Sequence, residues 1–487
     1  MSSKSNPTRS RQQATLKLEG QKLFKIDDGG GILSDLGGLP VAAKLAEQTG
    51  FISMAADALA EWRNTDMIDY ELEELLAQRL FLCMSGHPDA IDCTLRKDDP
   101  ALKSALGKEP NGKSLASQST HTRKEKNITA DTIQKLEAVP LQFFFSQHRH
   151  APQNLSIYFD GSGIRTYGAQ QNSTFRGGKK YNQTQYFPLI ATTKSGWLLL
   201  SQLREGGASD ANAMPAIQNL VLDIKARWKH TKITLTMDTG FNDPLLLDFL
   251  ESEQIGYQCG YPTTSSVLSN IPKVLKEVEE EFRSLHGEPK YAGNKKEADN
   301  KWQEDHKRIR ALPADKRMEA EKAQAARHVR KVVEFMHNGV NWTKDRRLVV
   351  RVDYTDRGLD VRSVVTNAKT GEPESLYENE YCKRARIEMF IKENKSHCRV
   401  PLSCQEFTAN QFRFILQGFA YQMLYLMRLK LPKDRQNISV ATVRKTLLQV
   451  PVLIVSTERR LYWHLSSVHP CTAKIIKLAQ KLNRKTA

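Results

Sequence analysis

The 487-residue chain is poor in cysteine, in long apolar runs and in acid. Its seven cysteines (Cys83, Cys93, Cys259, Cys382, Cys398, Cys404 and Cys471) are scattered and odd in number, and none forms a C-x-x-C pair. A disulfide framework and a zinc ribbon are both disfavoured on that count. His397, Cys398 and Cys404 lie close in sequence but lack a fourth ligand and the usual zinc spacing. No apolar run reaches the roughly 18 residues that a bilayer-spanning helix needs. The first residues, Met-Ser-Ser-Lys-Ser-Asn-Pro, contain no apolar signal core. The expectation is a soluble intracellular protein with no membrane partner. Acid is the scarcer charge, with 55 Asp and Glu against 72 Lys and Arg and a net charge of +17. That balance favours a polyanionic partner over a soluble protein that is merely basic. With 40% hydrophobic residues the chain can bury more than one core, so about two to four domains are expected.

The patterning changes along the chain. Residues 1 to about 30 are polar and basic and end in Gly29-Gly30-Gly31, which reads as an arm or a weakly ordered strand, there to touch DNA or simply to trail. From about 40 to 145 apolar residues recur at helical spacing, giving a helical N-terminal domain over 1–145. Within it, Ser114 to Lys126 is rich in hydroxyls, amides and cations, suited to phosphate contacts or to an ordinary solvated face. Short apolar runs at 155–160, 186–191, 197–203, 233–238 and 256–260 then read as strands, with helical patterns at 210–228 and 243–253. The order strand, strand, strand, helix, strand, helix, strand matches the first part (146–263) of a ribonuclease H-like α/β core with a mixed sheet. A charged insertion over 264–370 follows, helical to about 330 and then stranded at 330–337, 346–354 and 361–366. The second part of the core is expected at 371–430, with an apolar helix from about 408 to 429, and a basic C-terminal region at 431–487.

Two carboxylates stand at the ends of apolar strands. Asp160 follows Ile157-Tyr-Phe, and Asp238 closes Ile233-Thr-Leu-Thr-Met. A carboxylate there needs a cation or hydrogen-bond donors, so each either caps the following turn or binds a metal ion. Further on, Tyr381, Arg384, Glu388 and Lys395 are spaced so that an α-helix, turning about 100° per residue, gathers them within roughly a 60° arc. Ordinary ion pairs on an exposed helix face are the alternative.

The spacing Tyr-x2-Arg-x3-Glu-x6-Lys, together with Phe159-Asp-Gly, Tyr186-Phe-Pro-Leu, Met237-Asp-Thr-Gly-Phe, Val333-Glu-Phe and Ser403-Cys-Gln-Glu-Phe-Thr-Ala-Asn-Gln, resembles the YREK group of DDE transposases, the insertion-sequence thirteen-eighty family. Asp98-Asp-Pro-Ala-Leu and Leu115-Ala-Ser-Gln-Ser-Thr carry the resemblance towards the N-terminus, so that it covers about residues 60 to 430.

The resemblance implies a catalytic and metal-binding triad at Asp160, Asp238 and Glu388, holding two Mg²⁺ with Mn²⁺ as a substitute. Relatives often carry another acid two positions before the first aspartate, where this chain has Tyr158. Arg384 and Lys395 would contact phosphates near the cleavage point, and Tyr381 would donate a hydrogen bond to another. Trp342, beside Arg346 and Arg347, would stack on an unpaired base at the DNA end, or else be a core residue of a hairpin. The implied activity is DNA transposition. The protein would bind terminal inverted repeats in double-stranded DNA as a homodimer on paired ends, cut there, and join the freed 3′-hydroxyl to target DNA. The expected setting is the bacterial cytoplasm, at the nucleoid. A nuclease of the same fold without strand transfer, and a domesticated non-catalytic DNA-binding protein, are the rivals.

Overall fold

The computed structural model describes residues 13–19, 22–178, 182–291, 294–394 and 398–483; at Thr65, Lys295 and residues 384–388 only the backbone is described. The chain divides into two compact units, one of residues 1–143, 169–171 and 392–487, the other of residues 144–168 and 172–391.

In the first unit, the helix Phe407–Leu429 is buried almost all the way round. A helix apolar on every side must lie inside its unit, and here Phe51 packs edge-on against both Phe419 and Phe143. Two of the arginines buried with it share one carboxylate. Arg413 donates to Glu125 from two nitrogens at 2.9 and 2.7 Å, and Arg79 lies 3.7 Å from the same carboxylate. The region read as an arm contains an antiparallel hairpin, Gln13–Lys17 with Leu23–Asp27. A second hairpin, Val452–Ser456 with Leu461–Leu465, takes Leu33–Ser34 as its third strand.

The second unit is built on an eight-stranded mixed sheet. Its strands are β1 (Asn154–Gly161), β2 (Leu189–Thr193), β3 (Leu198–Gln202), β4 (Lys232–Met237), β5 (Gly256–Tyr261), β6 (His328–His337), β7 (Arg346–Thr355) and β8 (Gly358–Thr366), arranged β6-β7-β8-β5-β4-β1-β2-β3. Parallel pairing is confined to β1 with β4 and β4 with β5. The connections there carry the helices Met214–Arg227 and Pro244–Ser252, as parallel crossovers require. Asp243 starts the second of these by accepting the Leu245 N–H at 2.8 Å, with Pro244 at the first helical position. The strands after the charged helices do not form a sheet of their own. They continue the same sheet through β8, which pairs with β5 from Gln258 opposite Thr366 to Tyr261 opposite Ser363. The fold is thus mixed α/β, with one large mixed sheet and many helices.

Candidate active site

Strand alternation sends Leu155, Ile157 and Phe159 to one face of β1, all buried, and Ser156, Tyr158 and Asp160 to the other. β4 repeats this, burying Ile233, Leu235 and Met237 and leaving Thr234 and Thr236 on the same face as Tyr158. The two strands run parallel from Lys232 opposite Asn154 to Thr236 opposite Tyr158. Asp160 and Asp238 each follow that last pair by two residues, Asp160 still in β1 and Asp238 just past the end of β4, so that the register extended two residues would bring them about one strand spacing of 4.8 Å apart. Both aspartates are half-buried. Asp238 also caps the next turn, accepting the Gly240 N–H at 2.8 Å, so capping and proximity to Asp160 hold together.

Behind the aspartates lies a second cross-strand row, Tyr158, Thr236 and Gln258. Tyr158 is hydrogen-bonded to Thr236, and burial followed by the nearby Glu380 carboxylate pushes its phenol above the ordinary value. Gln258 donates to Glu380. The position that relatives give to an acid is here a neutral group held in a polar row.

The helical segment 373–392 crosses this face. Leu376 and Tyr377 pack on Val349 and Val364, and Tyr381 lies against the same cluster. Val349 pairs with Val364, and Val364 with Gly260, so helix and aspartates share one row of the sheet. A Cβ at Gly260 would stand 2.8 Å from the Tyr381 hydroxyl and 2.5 Å from Thr239 Oγ1. The absence of a side chain at Gly260 therefore lets Tyr381 reach the turn after Asp238. Asp238, Thr239, Arg351, Arg362, Tyr377 and Tyr381 line one cleft. Its wall carries two arginines that sequence reasoning passed over, Arg351 tied to Asp360 and Arg362 largely exposed.

The segment departs from the uniform α-helix assumed for the four-residue stripe. It is widened over Leu376–Tyr381, tightened over Cys382–Arg384 and regular only over Ala385–Lys392. Arg384 and Glu388 belong to it, but their side chains lie outside what is described, and Lys395 lies outside the described residues. Among the described residues no group of three or more His, Cys, Asp or Glu side chains is set to hold a metal ion. The adjacent Asp160 and Asp238 are a donor set of the right chemistry for Mg²⁺, a cation that takes carboxylate oxygens and keeps several waters.

The insertion residues have other engagements. Trp342 is only 9% exposed, its indole within ring contact of Tyr261 and His337 and under the Arg346 guanidinium. A Cβ at Gly339 would be 2.6 Å from that indole, so the ring lies flat on the turn backbone. Tyr261, His337 and Arg346 alternate to the face opposite the aspartates. Arg346 is buried and paired with Asp248 and Glu251. Burial would raise the Glu251 pKa, but hydrogen bonds from Arg346, Lys344 and Tyr257 outweigh it and hold the carboxyl at about 2. Arg347 points to the aspartate face, yet it pairs with Glu334 and donates to the carbonyls of Ala368, Thr370 and Gly371, just before the crossing helix. In this conformation none of the three presents a free stacking ring or cation.

Sequence reasoning also missed Asp210, whose carboxylate lies against the end of β1 and the turn after β4. Its only local signal was an acid in the polar Gly206-Gly-Ala-Ser stretch before a helix.

The family described as transposase DDE domain group 1 matches residues 17–487. This chain belongs to that family. It is a DDE transposase by descent. No curated protein sequence matches it. Among solved structures it is similar to the piggyBac transposase synaptic complex with hairpin DNA, determined by cryo-EM, at 10% identity and a TM-score of 0.39, over 85% of this chain and 79% of that one.

Proposed function

We propose that this protein is a DNA transposase of the YREK insertion-sequence type, acting through a ribonuclease H-like core on terminal inverted repeats, with Asp160, Asp238 and Glu388 as its metal-binding acids. The observation that carries the reading is the parallel register of β1 and β4, whose last pair, Tyr158 opposite Thr236, stands two residues before Asp160 and Asp238. The strand order β3-β2-β1-β4-β5, with β2 antiparallel, supports the ribonuclease H-like assignment.

Support for Glu388 comes from the helix path. Leu376 and Tyr377 lie over β7 and β8, and Tyr381 over β5. Seven residues at about 1.5 Å each carry the helix roughly 10 Å further. That distance is about two strand spacings, which along this row leads past β4 to β1. A helix path of that length towards β1 and β4 is what supports Glu388 as the third acid.

Two divalent ions held by these three residues, Mg²⁺ or Mn²⁺, would activate the attacking water or 3′-hydroxyl and stabilise the leaving oxygen. The chain's own residues do the rest. Asp238 stays fixed by the Gly240 N–H, Tyr381 offers a hydroxyl beside it, and Arg362, with Arg384 and Lys395 from the stripe, contacts DNA phosphates. Trp342, Arg346 and Arg347 brace the β6-β7 hairpin and the helix entry, and reach DNA only if those contacts are exchanged. Pairing two transposon ends calls for a homodimer on DNA.

The test is a plasmid bearing the DNA that flanks this gene. Wild-type protein is expected to nick it at the element ends and to yield strand-transfer products with Mg²⁺ or Mn²⁺. Asp160→Asn and Asp238→Asn should bind the same DNA and do neither. Nicking without joining would favour a nuclease, and full activity in either variant would overturn the site.

A further inference from the structure

The glycines that follow the two aspartates are not there for backbone conformation, because neither Gly161 nor Gly240 has a positive φ. What each lacks is room. A Cβ at Gly161 would stand 2.0 Å from Asp210 Oδ1, and a Cβ at Gly240 would stand 2.7 Å from Asp210 Oδ2. One carboxylate therefore stands against both the end of β1 and the turn after β4, an oxygen to each. The Asp238 Oδ1 atom is itself 3.0 Å from that same Gly240 position, so Asp210 and Asp238 flank a single glycine.

Asp210 is held from behind. Arg204 Nη2 lies 3.6 Å from Asp210 Oδ1, with both side chains about nine-tenths buried. The guanidinium is anchored by donating to the Phe187 carbonyl at 3.2 Å and the Ser209 carbonyl at 2.8 Å, and it lies over the Phe187 ring. Arg176 ties down the same loop by donating to the Ala208 carbonyl at 3.2 Å. The acid is thus clamped, with a counter-charge on its far side, before any cation arrives.

We propose that Asp210 is a positioning residue that fixes the end of β1 bearing Asp160 and the turn bearing Asp238 at the separation a pair of divalent cations requires. This rests on the metal-binding role proposed above for those aspartates. Two carboxylates at the ends of adjacent strands repel each other, and a wedge touching the end of β1 and the turn after β4 resists their splaying. Its own negative charge adds to the attraction for cations that Arg204 only partly offsets. Outer-shell carboxylates of this kind typically contribute to metal affinity without being ligands.

The test uses full-length protein with Mn²⁺ as the probe, followed by electron paramagnetic resonance. Asp210→Ala and the near-isosteric Asp210→Asn are each expected to weaken Mn²⁺ binding about 10- to 100-fold. In a nicking assay both should need correspondingly more Mn²⁺, while the rate at saturating Mn²⁺ returns close to wild type and DNA affinity is unchanged. A purely structural role would lower the melting temperature and the saturated rate without moving the Mn²⁺ requirement. If Asp210→Ala fails to fold, the Asn variant decides. Wild-type Mn²⁺ affinity in the folded variants would overturn the proposal. If instead the Asp160→Asn variant binds Mn²⁺ as tightly as wild type, it is the metal-site reading that falls.

Discussion

The two faces of the large sheet use the same kinds of residue to opposite ends. On one, Asp160 and Asp238 are half-buried carboxylates on neighbouring strands, with a row of neutral polar groups behind them. On the other, Arg346 is buried against Asp248 and Glu251, with Trp342 beneath it. The second cluster matches its carboxylates with a buried guanidinium, whereas the first brings two carboxylates to the ends of adjacent strands. Motif chemistry does not distinguish the two arrangements; the partner found across the sheet does.

The largest expected effect breaks the first face alone. Removing a metal-binding carboxylate forfeits several kcal/mol of transition-state stabilisation. Asp160→Asn or Asp238→Asn should therefore slow strand cleavage by about 1,000-fold or more, with the melting temperature near wild type. The opposite face should respond the other way round. Arg346→Ala removes the buried cation that Asp248 and Glu251 share and leaves Glu251 only Lys344 and Tyr257, at an expected cost of about 3 kcal/mol by denaturant unfolding. Its residual cleavage rate, scaled to folded protein, should be unaltered.

Trp342→Ala sharpens the contrast. As a core substitution it should cost about 3 kcal/mol of stability. DNA affinity at fixed salt should stay constant, whereas a ring that stacked on a base would lose about 1 to 3 kcal/mol of binding. The smallest effect concerns acid. The Glu251 carboxyl is held at about 2, below its ordinary 4.5. Its contribution to stability is therefore complete above pH 4.5 and lost as pH falls towards 2. Glu251→Gln should flatten the stability profile in that window and nowhere above it.

Much of this was legible in the sequence wherever local periodicity decides the outcome. The alternation at 155–160 and 233–238 corresponds to β1 and β4, the apolar run at 408–429 to the buried helix Phe407–Leu429, and the late runs at 330–337, 346–354 and 361–366 to β6, β7 and β8. What sequence reasoning missed depends on long-range partners. Trp342 gave no sign that Tyr261, some 80 positions earlier, would cover it. Asp210, first residue of the helical pattern at 210–228, went unnoticed because the glycines it stands against lie on either side of it, at 161 and 240. The 100° rule failed at Leu376–Arg384, where the helix widens and then tightens as it passes over Val349, Val364 and Gly260. The exposed hairpin Gln13–Lys17 with Leu23–Asp27 was missed because its strands are short and both sides stay in solvent.

The central claim is that three acids far apart in the chain meet around divalent cations on one sheet face. Anomalous X-ray scattering from crystals grown with Mn²⁺ and duplex DNA tests it most directly. Manganese within coordination distance of Asp160, Asp238 and Glu388 together is the expected result; manganese bound elsewhere, with Glu388 directed away from the two aspartates, would contradict it.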